Sequence, residues 1–204
     1  MAPDMIRRPR PLPGPTHVVA RPLPLRTWSD PLYRICRVDR DPIYFGKDAR
    51  SRFDDPRWEF GVLYAAGTAE GAFVETCIRD ERPGSGRCLT QAFLEERRLT
   101  RISVPAPLRL VDLTGAGLTW LDADARLPSG AYSVAQRWSR AFWSHPDQPD
   151  GVLYRSRFNL SLRCAALFDR NSGGISMEDL GPLLDAQNIG FLGEMLDRYG
   201  FALL

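Results

Sequence analysis

The chain has 204 residues, enough for one well-buried core and short for two domains. Charged residues at 25% and hydrophobic ones at 44% are an ordinary globular balance that excludes disorder of the whole chain, and a net charge of +2 leaves no broad electrostatic footprint for nucleic acid. The four cysteines, Cys36, Cys77, Cys88 and Cys164, make no C-x-x-C pair, no apolar run has transmembrane length, and no apolar signal core follows the basic N-terminus, so a cytoplasmic protein without membrane contact is expected.

Residues 1–27, "MAPDMIRRPRPLPGPTHVVARPLPLRT", are rich in Pro and Arg without a period and read as an extended arm lying on the body or on a partner. Residues 28–204 read as one domain. "LYRICRV" alternates apolar with polar as a half-buried strand does, which sets Arg34 on the face opposite its apolar neighbours or in a cleft. "DPIYFGKDARSRFDDPR" is a loop by its Asp-Pro and Gly punctuation. "GVLYAA" is a short apolar strand, and Thr68 is placed to cap a helix over "AEGAFVETCIRD" that buries Ala69, Ala72, Phe73 and Thr76. "PGSG" breaks the chain. "LTRISVP" and "LRLVDLT" are strands; "AYSVAQRWSRAFWSH" is the longest helical pattern, with Val134, Trp138 and Phe142 four apart. "GVLYRS" and "CAALFD" are strands, and "FLGEMLDRY" with "GFALL" gives a last helix and strand. Strands and helices mixed without strict alternation indicate an α+β fold.

Several chemistries lack their residues. His17 lies in the arm and His145 beside a proline at a helix end, so no Ser-His-Asp or Cys-His set has a base. "GAGLTW" lacks the third glycine of a dinucleotide fingerprint, and "PGSGR" lacks the ending of a P-loop. Asp122 and Asp124 have no third acidic residue in step, so no metal site is expected. What remains is arginines, tyrosines, a Ser between arginines in "YRSRF", and one helix-borne carboxylate, Glu75. Glu75 could form a surface pair with Arg79 four residues on. The inventory also suits an anionic, ring-bearing ligand: guanidinium forks hold phosphate, tyrosines pack beside a sugar or base, and a carboxylate stabilises a cationic sugar centre.

The ordered series "LYRICR", "ARSRFDDP", "GVLYAAGTAEGAFVET", "LVDLTGAGLTWL", "DGVLYRSR" and "AALFDR" closely resembles the RES-domain family, named for its Arg, Glu and Ser. The resemblance implies a single domain similar to bacterial ADP-ribosyltransferase toxins, with a split mixed sheet flanked by helices. It implies an enzyme that consumes NAD as substrate, by phosphorolysis with inorganic phosphate or by hydrolysis, and needs no cofactor. It further implies the toxin of a toxin–antitoxin pair, with a small antitoxin protein as partner and a homo-oligomer as a compatible state. A protein mono-ADP-ribosyltransferase and a non-catalytic nucleotide-binding module are the alternatives.

Carried over residue by residue, the resemblance makes Arg34, Glu75 and Ser156 the catalytic set and Tyr64, Arg52, Tyr44 and Arg157 the substrate-binding set. At "SRFDD" many relatives instead carry a Gly-Arg-aromatic-Asn run. The implied reaction is dissociative cleavage of the nicotinamide–ribose bond, with Glu75 stabilising the ribosyl cation and arginines holding the pyrophosphate.

Overall fold

The computed structural model describes residues 12, 14–79 and 86–204. Its strands are β1 Leu25–Trp28, β2 Leu32–Arg37, β3 Val62–Ala66, β4 Cys88–Leu89, β5 Arg97–Ser103, β6 Leu108–Asp112, β7 Gly151–Arg155, β8 Arg163–Phe168, β9 Ser176–Pro182 and β10 Ala202–Leu203. Its helices are α1 Ala69–Phe73, α2 Gln91–Glu95, α3 Ala116–Trp120, α4 Arg126–Ser129, α5 Tyr132–Trp143 and α6 Ile189–Tyr199. Eight strands pair in the order β1-β6-β7-β8-β3-β2-β5-β9, within which only β6 and β7 run parallel, and β4 and β10 form a separate parallel pair. The mixed α+β architecture is the one expected.

The central strands are buried on both faces, which is why "VLYAA", "GVLY" and "CAALF" are nearly continuous apolar runs. Val62, Ala66, Val152, Ala166 and Phe168 feed one core, while Leu63, Leu153, Ala165 and Leu167 feed the other. Helix α5 closes the first core with Ala135, Trp138 and Phe142, the last two on the four-residue spacing read from the sequence.

The sheet is weakest where the site forms. β2 pairs with β5 over six residues but with β3 only through Tyr33 and Ala66. The two halves of the sheet part between β2 and β3, and the side chains of both strands line the opening. The expected split is therefore a physical gap.

The N-terminal segment corrects the reading of residues 1–27 as an arm. Over its described part it is built into the body: Pro15–Ala20 forms a 3₁₀ turn with Val18 fully buried, and β1 forms the sheet edge against β6. Leu23 joins the core, and its N–H donates to Asp147 at 2.8 Å. His145 is buried; its Nδ1 accepts from the Asp147 N–H, so its Nε2 proton faces the carbonyls of Val18 and Arg21. Prolines and arginines hid a segment in which Val18 and Leu23 turn inward while Val19 stays exposed. Residues 1–11 and 13 of that arm, and most of the "PGSG" break, lie outside the described residues.

Candidate functional site

A cleft of about 470 Å³ opens between the two halves of the sheet. Its walls are β2, the helix that follows β3, the loop of residues 41–52, the start of α5 and the end of β7. Eight arginines line it, Arg34, Arg37, Arg40, Arg52, Arg79, Arg97, Arg155 and Arg157, against two carboxylates, Asp41 and Glu75. Such a lining selects for an anion.

Glu75 reaches the cleft on an irregular stretch of helix. Thr68 caps α1 by accepting from the Gly71 N–H at 3.0 Å, as its position in the sequence predicts. The helix then widens into a π turn over Val74–Ile78, with the Arg79 N–H donating to the Val74 carbonyl at 3.1 Å. This turn keeps Val74 and Cys77 buried while Glu75 and Thr76 face the cleft. The Thr76 hydroxyl donates to the Ile35 carbonyl at 3.3 Å, tying the turn to the strand that carries Arg34. Glu75 makes no hydrogen bond and no ion pair with any described residue, so the surface pair with Arg79 does not form.

Arg34 and Arg52 are cations without a matching carboxylate among the described residues. Burial holds the Arg34 guanidinium below its ordinary pKa, opposed by Cys36 and Asp41, and its one side-chain hydrogen bond runs to the Tyr44 carbonyl at 3.3 Å. Tyr44 thus meets Arg34 through its backbone, while its ring is exposed at the cleft mouth. Arg52 is 9% exposed, donates to the Gly130 carbonyl at 2.6 Å and lies 4.6 Å over the Tyr132 ring. Burial lowers its pKa as well, with Tyr132 and Glu75 opposing and Arg157 reinforcing. A cation withdrawn from water without a close ion-pair partner is costly unless an anion arrives.

The loop that presents Arg52 is fastened from several sides. The Tyr64 hydroxyl accepts from the Phe53 N–H and donates to Asp54, both at 2.8 Å, and Asp54 accepts from the Ser51 N–H at 2.7 Å. Gln136 and Ser139 of α5 donate to the carbonyls of Ala49, Ser51 and Phe53, and Arg140 pairs with Asp55 at 3.0 Å. Tyr64 therefore offers its ring to the cleft, while its hydroxyl is committed to the loop. Burial, then Asp54, raises the pKa of that phenol.

Ser156 stands apart from the other candidates. It is fully buried, and its Oγ accepts from the N–H groups of Phe158 and Asn159 at 3.2 and 3.4 Å. That turn carries Arg157, which is exposed at the cleft with its guanidinium 4.8 Å from the Phe158 ring. Arg155 anchors the same turn through the Leu160 carbonyl at 2.6 Å. The structure thus gathers Arg34, Arg52, Tyr64, Glu75, Tyr44 and Arg157 at one cleft, with Ser156 beneath it.

Tyr154 is a cleft residue that the motifs did not single out. Its ring is 8% exposed and packs 5.0 Å from Phe53, while its hydroxyl has no hydrogen-bond partner among the described residues. Burial, then Cys164 and Glu75, pushes that phenol well above its usual pKa, so it is a neutral donor. A signal existed: Gly151-Val-Leu-Tyr154 repeats Gly61-Val-Leu-Tyr64, and both strands flank β8, with Tyr64 opposite Ala166 and Tyr154 opposite Cys164. The two tyrosines share one face of the sheet. Among the described residues no group of three His, Cys, Asp or Glu could hold a metal ion, and no helix is long and apolar enough to cross a membrane.

The RES domain family model matches residues 31–186, and the chain that folds into this split mixed sheet belongs to that family. A relative from Sinorhizobium fredii, the probable toxin y4kH, is 31% identical over 118 residues, 55% of this chain and 87% of the relative. The fold is similar to that in a crystal structure of the M. tuberculosis MbcT–MbcA toxin–antitoxin complex, with a TM-score of 0.58 and 22% identity over 78% of this chain and 88% of that one.

Proposed function

We propose that the protein cleaves the nicotinamide–ribose bond of NAD and acts as the toxin of a toxin–antitoxin pair. The observation that carries this reading is Glu75: a helix-borne carboxylate, without an ion-pair partner among the described residues, in a cleft lined by eight arginines. An anion-selecting site has a use for one fixed negative charge where the ligand turns positive. NAD joins the two needs, with an anionic pyrophosphate at its centre and a ribosyl carbon that becomes cationic as neutral nicotinamide departs.

In this reading Arg34 and Arg52 hold the pyrophosphate, and the rings of Tyr44 and Tyr64 wall the site. Tyr154 donates to a ribose or phosphate oxygen, Arg157 closes over the nucleotide, and Ser156 shapes the turn that carries it. Glu75 orients the ribose hydroxyls and stabilises the oxocarbenium-like centre. The electron pair of the breaking C–N bond goes to nicotinamide. Water at the ribosyl carbon yields ADP-ribose and a proton; inorganic phosphate yields the 1-phosphate ester. A stabilisation of ~3 kcal/mol from the carboxylate corresponds to a factor of ~100 in rate. The toxin reading rests on family membership together with the name of the S. fredii relative, and a small antitoxin covering the cleft is its corollary.

The test is incubation of the purified protein with NAD, with and without phosphate, following nicotinamide and the ribosyl product by chromatography. Nicotinamide release is expected, and the product identifies the acceptor. If NAD binds but stays intact under both conditions, the protein is a nucleotide-binding module.

A further inference from the structure

Tyr199 lies outside the cleft and outside residues 31–186, yet its hydroxyl joins the two elements that carry Glu75 and Arg157 to opposite sides of the site. It donates to Glu70 Oε1 at 2.7 Å and accepts from Asn159 Nδ2 at 2.8 Å. Glu70 belongs to the same continuous helical run, 69–78, that carries Glu75. Asn159 belongs to the turn that carries Arg157: its N–H donates to Ser156, its carbonyl accepts from the Leu162 N–H at 3.0 Å, and its Oδ1 accepts from Ser161.

We propose that Tyr199 is a positioning residue, whose hydroxyl couples the Glu75 helix to the Arg157 turn and so sets the distance across the cleft for the ligand. The attachment of α6 does not depend on that hydroxyl. Leu192 and Met195 are buried, Phe191 packs edge-on against Phe73 at 6.3 Å, and Arg198 pairs with Glu70 at 3.0 Å. The Arg87 side chain donates to the carbonyls of Tyr199 and Gly200 and holds the helix end. With the helix secured by these contacts, the Tyr199–Asn159 bond is free to act on the turn alone. An element beyond the matched domain thereby adjusts the site inside it.

The inference rests on the NAD reading only for its kinetic arm. In ligand-free protein, Tyr199→Phe is expected to speed hydrogen exchange of the 157–162 amides about threefold to tenfold, the range for loss of one hydrogen bond, with the thermal midpoint nearly unchanged. In the active protein the same variant is expected to raise KM for NAD by a similar factor with kcat within about twofold. Glu70→Gln, which keeps an acceptor for both Tyr199 and Arg198, is expected to retain the parent KM. Unchanged exchange over 157–162, or altered exchange with an unaltered KM, would overturn the proposal. A parent protein that releases no nicotinamide would defeat the NAD reading instead, and the exchange measurement would still decide the role of Tyr199.

Discussion

Replacing Tyr64 with Phe separates two roles that one tyrosine can play in such a cleft. The ring stays and only the hydroxyl goes, which leaves the Phe53 N–H and Asp54 Oδ1 without their 2.8 Å partners. Asp54 is 2% exposed, and burial already holds its carboxyl above the usual range against the hydrogen bonds that lower it. Loss of a charged hydrogen bond together with an orphaned N–H costs about 3 kcal/mol. For a chain of this size, that lowers the melting midpoint by about 6–12 °C. Calorimetric or fluorescence melting of both proteins measures it. Adding Asp54→Asn should recover part of the loss, because the uncompensated buried charge disappears. A midpoint within about 1 °C of the parent, accompanied by weaker ligand binding, would refute the loop-fastening role and make the hydroxyl a direct ligand contact.

Arg34→Lys keeps the charge but loses the planar fork, and calorimetric titration should show NAD binding weakened about tenfold; equal affinity would make Arg34 a structural cation. Deleting residues 1–28 removes Val18, Leu23 and Trp28, all at most 9% exposed, at about 1.5–3 kcal/mol each, which approaches the whole stability of a domain. The truncated protein should therefore lose its cooperative melting transition, where a free arm would leave it intact. Burial raises the Asp112 carboxyl, but hydrogen bonds from Thr114 and the Arg26 pair at 3.0 Å outweigh it, and its net pKa lies below 3.8. Its stabilisation is thus complete above 3.8 and is lost as the pH falls through the folded value. Denaturant melts across that range should show a shallower acid loss in Asp112→Asn than in the parent.

How far the sequence could be read follows from what each segment buries. Strands β3, β7 and β8 are apolar on both faces and α5 keeps its spacing, so both kinds of element stand out in the chain. β9 does not: its residues are exposed or half-exposed, and its acidic Glu178 and Asp179 belong to cross-strand pairs with Arg101 and Arg98. β1 was hidden between prolines, and its place comes from long-range pairing with β6. The site divides the same way. Arg34 was legible as a cation in a strand, which needs a reason to be there. Glu75 was distinguishable from a surface partner of Arg79 only through the family motif, since no local pattern announces a π turn. Ser156 carried a motif signal, yet its hydroxyl is spent on the turn beneath the cleft. Tyr154 and Tyr64 occupy the same position of a repeated tetrapeptide, and only tertiary hydrogen bonding distinguishes the committed hydroxyl from the available one.

The central claim is that Glu75 serves a ribosyl cation in an anion-binding cleft, and single-turnover release of nicotinamide from NAD by the parent and Glu75→Gln proteins addresses it most directly. The substitution removes the charge while preserving size and helix propensity, and among the described residues Glu75 has no hydrogen-bond or ion-pair partner whose loss would unsettle the fold. The account predicts NAD affinity within about threefold of the parent, an unchanged melting midpoint, and a rate of bond cleavage lower by about 100-fold or more. Cleavage by Glu75→Gln at the parent rate would contradict it.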